Sequence, residues 1–118
     1  MNNPLALIVE DEFDLSNIFA HALKAAGFET QIARSGDTAL TWLSSMVPDI
    51  VVLDLHLPRV AGTEILKHIR SDPRMAETRV IVATADDRTA EVLQEEADLV
   101  LVKPISFSQL RDLASRLK

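Results

Sequence analysis

Residues 50–58 have the sequence Ile-Val-Val-Leu-Asp-Leu-His-Leu-Pro, in which four apolar residues are followed directly by an acid. A short apolar run rich in β-branched residues and leucine is typical of a strand that is buried on both faces of a sheet. The acid, Asp54, then lies at the carboxyl end of that strand, and Pro58 lies in the loop that follows. This segment therefore predicts a buried strand that brings a carboxylate to one edge of a sheet.

Four other segments of the chain have strand character. Three are strongly apolar, and they are Leu5–Val9, Val80–Ala83 and Leu99–Val102. The fourth, Thr30–Ala33, has more polar side chains, which favours a position at the edge of the sheet.

Segments with helical spacing alternate with these strands and predict five helices. They are centred on Leu15 to Ala26, Ala39 to Leu43, Ile65 to Ile69, Thr89 to Glu95 and Phe107 to Leu117. Asp14 is expected to cap the first helix and Ser106 the last. Because each parallel connection needs a right-handed crossover helix, the alternation predicts an α/β fold with a doubly wound, five-stranded parallel sheet of (βα)5 type.

Length and composition limit the possible functions. The chain has 118 residues with 47% hydrophobic content, which predicts one domain over residues 1–118. Its 18 acidic residues outnumber the 12 basic ones, and the net charge of -6 disfavours direct binding to nucleic acid. No cysteine is present, which excludes disulfides and thiolate metal sites. The apolar segment near the N-terminus is too short for a signal or membrane segment, so we expect a cytoplasmic location and no membrane contact.

Polar residues follow four of the predicted strands. Glu10 and Asp11 come after the first, Asp54 after the third, Thr84 after the fourth and Lys103 after the fifth. Because the carboxyl ends of parallel strands share one edge, which is also where such sheets bind ligands, we expect these side chains to converge. The Lys103 amine should then lie beside the Asp54 carboxylate.

The expected cluster has the composition of a phosphoryl-transfer site. Three carboxylates against one lysine leave a charge of about -2, which a divalent cation would neutralise. Hard oxygen ligands favour Mg²⁺, whereas zinc is disfavoured because the histidines show no ligand spacing. A carboxylate such as Asp54 can attack phosphorus, while Lys103 and Thr84 can hold the phosphoryl oxygens.

Four motifs in this order resemble the receiver domain of response regulators, and the resemblance spans essentially the whole chain. The motifs are residues 9–12 (Val-Glu-Asp-Glu), residues 53–58 with Gly62 eight residues after the aspartate, residues 83–85 (Ala-Thr-Ala) and residues 102–104 (Val-Lys-Pro). The resemblance is to receiver domains like those of the chemotaxis regulators, and it implies the flavodoxin-like strand order 2-1-3-4-5. It also implies two-component signalling with Mg²⁺-dependent phosphoryl transfer.

The resemblance implies a metal site and names its ligands. Asp11 and Asp54 would bind Mg²⁺ directly, and Glu10 would do so through water. The main-chain carbonyl of His56 would be a further ligand. No other cofactor is implied.

The resemblance also assigns the phosphoryl site and the partners. Asp54 would be the phosphoacceptor, Thr84 and Lys103 would hold the phosphoryl oxygens, and the Lys103–Pro104 peptide bond would be cis. The donor would be a sensor histidine kinase or a phosphotransfer protein. The chain would be a self-phosphorylating and autodephosphorylating switch rather than a turnover enzyme. Its output surface, and a possible homodimer interface, would comprise the fourth helix, the fifth strand and the fifth helix.

Two positions depart from the family pattern. Val100 stands where the family usually has an aromatic residue that moves inward on activation, and Glu96 stands where it usually has glycine. The first departure leaves open an alternative function, an interaction module that works without phosphorylation. A phosphatase with an aspartyl-phosphate intermediate is a further alternative, although such enzymes typically need an acid at the position of His56.

Overall fold

The computed structural model of the chain describes residues 3–86, 88, 93 and 95–118. Within these ranges the strands are β1 (Leu5–Val9), β2 (Glu29–Ala33), β3 (Ile50–Asp54), β4 (Arg79–Thr84) and β5 (Leu99–Val102). The helices are α1 (Phe13–Ala25), α2 (Gly36–Leu43), α3 (Gly62–Ser71), a 3₁₀ helix (Pro73–Met75) and α4 (Phe107–Arg116). The helix predicted around Thr89 to Glu95 falls mostly outside the described residues. None of the described helices has both the length and the apolar character needed to cross a membrane.

The five strands form one parallel sheet with the order β2-β1-β3-β4-β5. This confirms the predicted fold class, the strand order and the edge position of β2. The register pairs Val9 with Leu53, Asp54 with Ala83, and Thr84 with Val102. The carboxyl ends of β1, β3, β4 and β5 therefore lie at one edge of the sheet.

Alternate residues of the central strands fill two hydrophobic cores, one on each face of the sheet. The core against α2 and α3 includes Leu7, Val51 and Val82, and the core against α1 and α4 includes Ile8, Val52 and Ile81. All six side chains are buried, because a parallel strand covered on both faces has no solvent side. This packing explains why the apolar runs lack the alternation of a half-exposed strand.

The helix ends agree only in part with the sequence predictions. Ser106 caps α4, since its hydroxyl accepts a hydrogen bond from the main-chain N–H of Gln109 at 3.0 Å. The prediction for Asp14 is wrong: α1 begins at Phe13, and its N-cap residue, Glu12, makes no side-chain capping bond. Asp14 lies inside the first turn, where its charge still favours the helix dipole.

The loop before β5, where Glu96 replaces the usual glycine, is held by charged groups. Arg70 donates from Nε to the Glu96 carbonyl at 2.6 Å and pairs through Nη2 with Asp98 at 3.0 Å. Arg79 pairs with the other carboxylate oxygen of Asp98 at 3.3 Å, and the Val80 N–H donates to Asp98 at 2.7 Å. We call Arg70, Arg79 and Asp98 the amino-edge cluster, because they lie at the beginning of β4 and β5.

Candidate functional site

Three carboxylates meet at the carboxyl edge of the sheet. One oxygen each from Glu10, Asp11 and Asp54 lies within 4.8 Å of the other two. Glu10 follows β1, and Asp54 is the last residue of β3. Their side chains are nearly inaccessible to solvent, at 1% and 3% exposed, whereas Asp11 is exposed. We call these three residues the acidic pocket.

Lys103 contacts both buried acids of this pocket. Its Nζ lies 3.1 Å from Glu10 Oε1 and 3.3 Å from Asp54 Oδ1. The Lys103 main-chain N–H also donates to the Thr84 carbonyl at 2.7 Å, which holds the residue against the end of β4. The peptide bond to Pro104 is cis, as the resemblance implied. The expected convergence of the lysine and the aspartate is thus confirmed.

Thr84 brings a hydroxyl to the same edge from β4. It is fully buried and follows Ala83, the register partner of Asp54. Its Oγ1 accepts a hydrogen bond from the Asp86 main-chain N–H at 3.1 Å and lies 3.5 Å from His56 Nε2. The turn after β4 therefore fixes the hydroxyl, a contact that the sequence did not indicate.

His56 belongs to the loop that leaves β3. Its main-chain N–H donates to Asp54 Oδ1 at 3.3 Å, while its imidazole is exposed to solvent. The same loop returns so closely to the strand that a Cβ atom at Gly62 would lie 2.5 Å from the Asp54 carbonyl oxygen. Only glycine allows this approach, which explains its place in the motif. The role of the His56 carbonyl as a metal ligand stays a prediction.

Burial and neighbouring charges change the protonation of the pocket. Burial raises the pKa of Glu10 to about 7, the Asp54 carboxylate adds to the increase, and Lys103 opposes it. For Lys103, burial lowers the pKa, but the Asp54 and Glu10 carboxylates outweigh burial and the net direction is upward. Lys103 therefore stays charged, whereas the proton on Glu10 is held far more tightly than on an ordinary glutamate.

The donor set fits a hard divalent cation. Three carboxylate oxygens face one ammonium group, which leaves the pocket with a formal charge of about -2 when all three acids are ionised. All three are oxygen ligands, and Asp11 is open to water, which suits Mg²⁺ because this ion usually keeps several waters. No histidine belongs to the group, so the site does not resemble a zinc site.

One polar contact, between the end of β2 and α1, could not be predicted from the sequence. Arg34, which directly follows β2, donates from Nη1 to the hydroxyl of Ser16 on α1. The two residues are 18 positions apart, and no motif connects them. The one signal in the sequence is Ser16 itself, a polar residue that lies three residues before Phe19 and seven before Leu23, on the apolar face of the first helix.

Comparison with known proteins gives the chain a family. A family model described as the response regulator receiver domain matches residues 6–115. The matched range includes all three residues of the acidic pocket, as well as Thr84 and Lys103.

Two relatives are longer proteins. The phosphate regulon transcriptional regulatory protein PhoB of Rhizobium meliloti (strain 1021) is 36% identical over 110 residues, which cover 91% of this chain and 48% of that protein. The regulatory protein AtoC of Escherichia coli (strain K12) is 32% identical over 111 residues, which cover 93% of this chain and 24% of that protein. The chain thus spans less than half the length of either relative.

Solved structures share the fold over nearly their full length. A receiver domain (CheY-like) from Methylobacillus flagellatus has a TM-score of 0.87 and 27% identity, with 99% of this chain and 100% of that chain covered. The response regulator protein TrrA from Thermotoga maritima, in complex with Mg(2+)-BeF, has a TM-score of 0.85 and 28% identity, with 98% and 99% covered.

Proposed function

Because the chain belongs to the response regulator receiver domain family, we propose that it is a phosphoacceptor switch of a two-component signalling system. In this proposal a sensor histidine kinase or a phosphotransfer protein donates the phosphoryl group, and Asp54 accepts it. The observation that carries the proposal is the contact of the Lys103 amine with both Asp54 and Glu10 inside a cluster of three carboxylates.

The chemistry requires a nucleophile and two groups that hold oxygens. A carboxylate oxygen of Asp54 attacks phosphorus, the bond from phosphorus to the donor's leaving atom breaks, and the leaving group takes the electron pair. Lys103, whose amine already lies 3.3 Å from the nucleophile, offers a compact positive charge to one phosphoryl oxygen. The Thr84 hydroxyl offers a hydrogen bond to another.

The acidic pocket supplies the cation site of the proposal. Asp11 and Asp54 would hold Mg²⁺ directly, Glu10 would hold it through water, and the His56 carbonyl would complete the protein ligands. When bound, Mg²⁺ neutralises charge on the transferring oxygens. The structure of TrrA in complex with Mg(2+)-BeF supports this assignment by analogy with a protein of the same fold.

We propose that the signal leaves through β5, α4 and the predicted helix around Thr89 to Glu95. Of these elements β5 is the edge strand of the sheet, and its Val102 is 42% exposed. An apolar side chain on an edge strand favours docking of a partner or of a second copy of the chain. Light scattering with and without beryllofluoride measures the molar mass and so tests whether the chain forms a dimer. A monomer mass at high concentration under both conditions argues against the dimer.

Incubation with acetyl phosphate tests the central proposal. Intact mass spectrometry should record the gain of one phosphoryl group in the presence of Mg²⁺, with acetate released, and no gain with a chelator. Asp54→Asn is the control, since it keeps the shape of the side chain but removes the nucleophilic carboxylate. A gain of phosphoryl mass in the Asp54→Asn chain would show that another residue is the phosphoacceptor.

A second candidate, the interaction module that works without phosphorylation, is favoured by one observation. Val100, at the position of the usual aromatic, is half-buried and packs against the core under α2 and α3. No mass gain in the native chain would support this module. Repeated hydrolysis of a generic phosphate ester would instead support a phosphatase and contradict the switch.

A further inference from the structure

The segment that joins β1 to α1 carries two residues of the acidic pocket, and it leads into a helix that has no side-chain cap. Glu12, the N-cap residue of α1, follows Glu10 and Asp11 and makes no side-chain capping bond. The first turn of a helix has main-chain N–H groups without intrahelical partners, so an uncapped start tends to fray. Some other contact must hold this end of the segment.

Arg34 provides that contact from the end of β2. Its guanidinium donates to the Ser16 hydroxyl, and its Cζ lies 4.5 Å from the centre of the Phe13 ring. Ser16 is fully buried, and its hydroxyl in turn donates to the Phe13 carbonyl at 2.8 Å. Arg34 therefore fastens the first turn of α1 through both a hydrogen bond and a cation–π contact.

The same end of β2 holds the other end of the acidic segment. The Glu10 N–H donates to the carbonyl of Ala33 at 3.1 Å, one residue before Arg34. Within the segment, the Glu12 N–H donates to Glu10 Oε2 at 3.3 Å, and the Ser16 N–H donates to the Glu12 carbonyl at 3.0 Å. Two consecutive residues at the end of β2 thus hold both sides of the acidic segment: Ala33 bonds to Glu10, and Arg34 bonds to the first turn of α1.

We propose that Arg34 is a positioning residue that holds the Glu10–Asp11 segment in the geometry that binds Mg²⁺. This inference rests on the proposed function, because it assigns Arg34 an effect on the cation site and hence on phosphorylation. Arg34 itself touches neither the metal nor the phosphoryl group. Its effect passes through Ser16 and the first turn of α1.

Another arginine gives a matched control. Arg111 also lies over a phenylalanine at the first position of a helix, with its Cζ 5.7 Å from the Phe107 ring. Arg111 and Phe107 belong to the same helix, and Arg111 pairs with the adjacent Asp112. Its removal costs a similar cation–π contact but breaks no bridge to the acidic segment.

The positioning role and a simple charge effect predict opposite results. A guanidinium near a cation site repels Mg²⁺, so its removal alone would tighten Mg²⁺ binding. Loss of the Arg34 contacts that position the Glu10–Asp11 segment would weaken Mg²⁺ binding instead. At an ionic strength of about 0.15 M the charge effect of an exposed side chain is largely screened, which isolates the positioning effect.

The test measures the rate of phosphorylation by acetyl phosphate as a function of Mg²⁺ concentration, in the full chain. Arg34→Gln and Ser16→Ala should each raise the half-saturating Mg²⁺ concentration about fivefold, which corresponds to the net contribution of one typical protein hydrogen bond. The rate at saturating Mg²⁺ should change by less than about twofold, since Mg²⁺ in excess restores the geometry. The double variant should equal Arg34→Gln, because each single substitution already removes the hydrogen bond between Arg34 and Ser16. Arg111→Gln should behave as the native chain.

If Arg34 only stabilised the fold, its substitution would lower the fraction of active protein and leave the half-saturating Mg²⁺ concentration unchanged. That result, or a half-saturating concentration that is unchanged or lower in Arg34→Gln, would overturn the inference. If the native chain gains no phosphoryl group, the proposed function fails separately. Calorimetric Mg²⁺ titration of the same variants then decides the inference, and equal affinities in the native and Arg34→Gln chains would overturn it.

Discussion

The two edges of the sheet, at the amino and carboxyl ends of its strands, carry charged clusters with opposite ratios of acidic to basic groups. In the amino-edge cluster, Asp98 is matched by Arg70, Arg79 and the Val80 N–H, so a single carboxylate has two cationic partners. In the acidic pocket the ratio is reversed, because three carboxylates lie together and the ammonium of Lys103 pairs with two of them, Glu10 and Asp54.

This difference in charge balance separates a structural cluster from a functional one. A carboxylate whose hydrogen bonds are all satisfied within the protein stabilises the fold and has no need of a ligand. A buried pocket with excess negative charge costs folding free energy, and the pKa of Glu10 is raised first by burial and then by the Asp54 charge. The excess negative charge supports the proposal that the pocket holds a cation.

The largest expected effect comes from removing one carboxylate from each cluster. Asp54→Asn should abolish the phosphoryl mass gain, because the nucleophile is lost, and should leave stability equal or higher, since it relieves repulsion in the pocket. Asp98→Asn should keep the mass gain but lower the free energy of unfolding by about 2 kcal/mol, because two guanidinium groups lose their anionic partner. Intact mass and urea unfolding measure the two effects.

The comparison fails if the two substitutions act alike. Loss of the mass gain in a folded Asp98→Asn chain would connect the amino-edge cluster with the chemistry. A destabilised Asp54→Asn chain would mean that the pocket supports the fold rather than strains it.

Removal of the pocket's lysine should separate binding from chemistry. Lys103→Met should lower the phosphorylation rate about 100-fold, the typical loss for one group that stabilises developing charge. It should also tighten Mg²⁺ binding about threefold, since the pocket becomes more negative. Lys67→Met, which removes an exposed lysine from α3, is the matched control. The phosphorylation rate and a calorimetric Mg²⁺ titration measure the two effects. Weaker Mg²⁺ binding in Lys103→Met would contradict the charge argument.

A smaller effect concerns pH. Since the pKa of Glu10 rises from 4.5 to about 7 on folding, the folded chain holds more protons than the unfolded chain between these values. Stability without Mg²⁺ should therefore fall by about 2 kcal/mol as pH rises from about 5 to about 8. Lys103 adds nothing in this window, because its pKa is raised above an already high value and its contribution is lost only in more alkaline solution.

Glu10→Gln isolates that pH effect. The variant cannot titrate at this position, so the difference between the two unfolding curves measures the contribution of Glu10 alone. Equal pH slopes in the native and Glu10→Gln chains would show that Glu10 has an ordinary pKa.

The sequence predicted the fold and the convergence of the site for one physical reason. Buried parallel strands are marked by short apolar runs, and the residue after each run is carried to a common edge. Glu10, Asp54 and Lys103 could therefore be placed together although Glu10 and Lys103 lie 93 positions apart. Strand ends fix such contacts without any need to know side-chain conformations.

Contacts that depend on long side chains could not be predicted in this way. Arg34 reaches Ser16 across 18 positions, and Arg70 reaches Asp98 across 28, without any periodic pattern that relates the partners. The capping prediction for Asp14 failed because the helix begins at Phe13, two residues before the start that a cap at Asp14 requires, and the apolar spacing gives no signal there. Side-chain reach, rather than the backbone pattern, decides these contacts.

Calorimetric Mg²⁺ titration at about pH 8, where Glu10 is ionised, tests the central claim most directly. The native and Asp98→Asn chains should each bind one Mg²⁺ with equal affinity, whereas Asp54→Asn should bind it about tenfold more weakly, because a direct ligand is lost. No binding to the native chain, or equal affinity in Asp54→Asn, would contradict the claim that the excess charge of the acidic pocket exists to hold a cation.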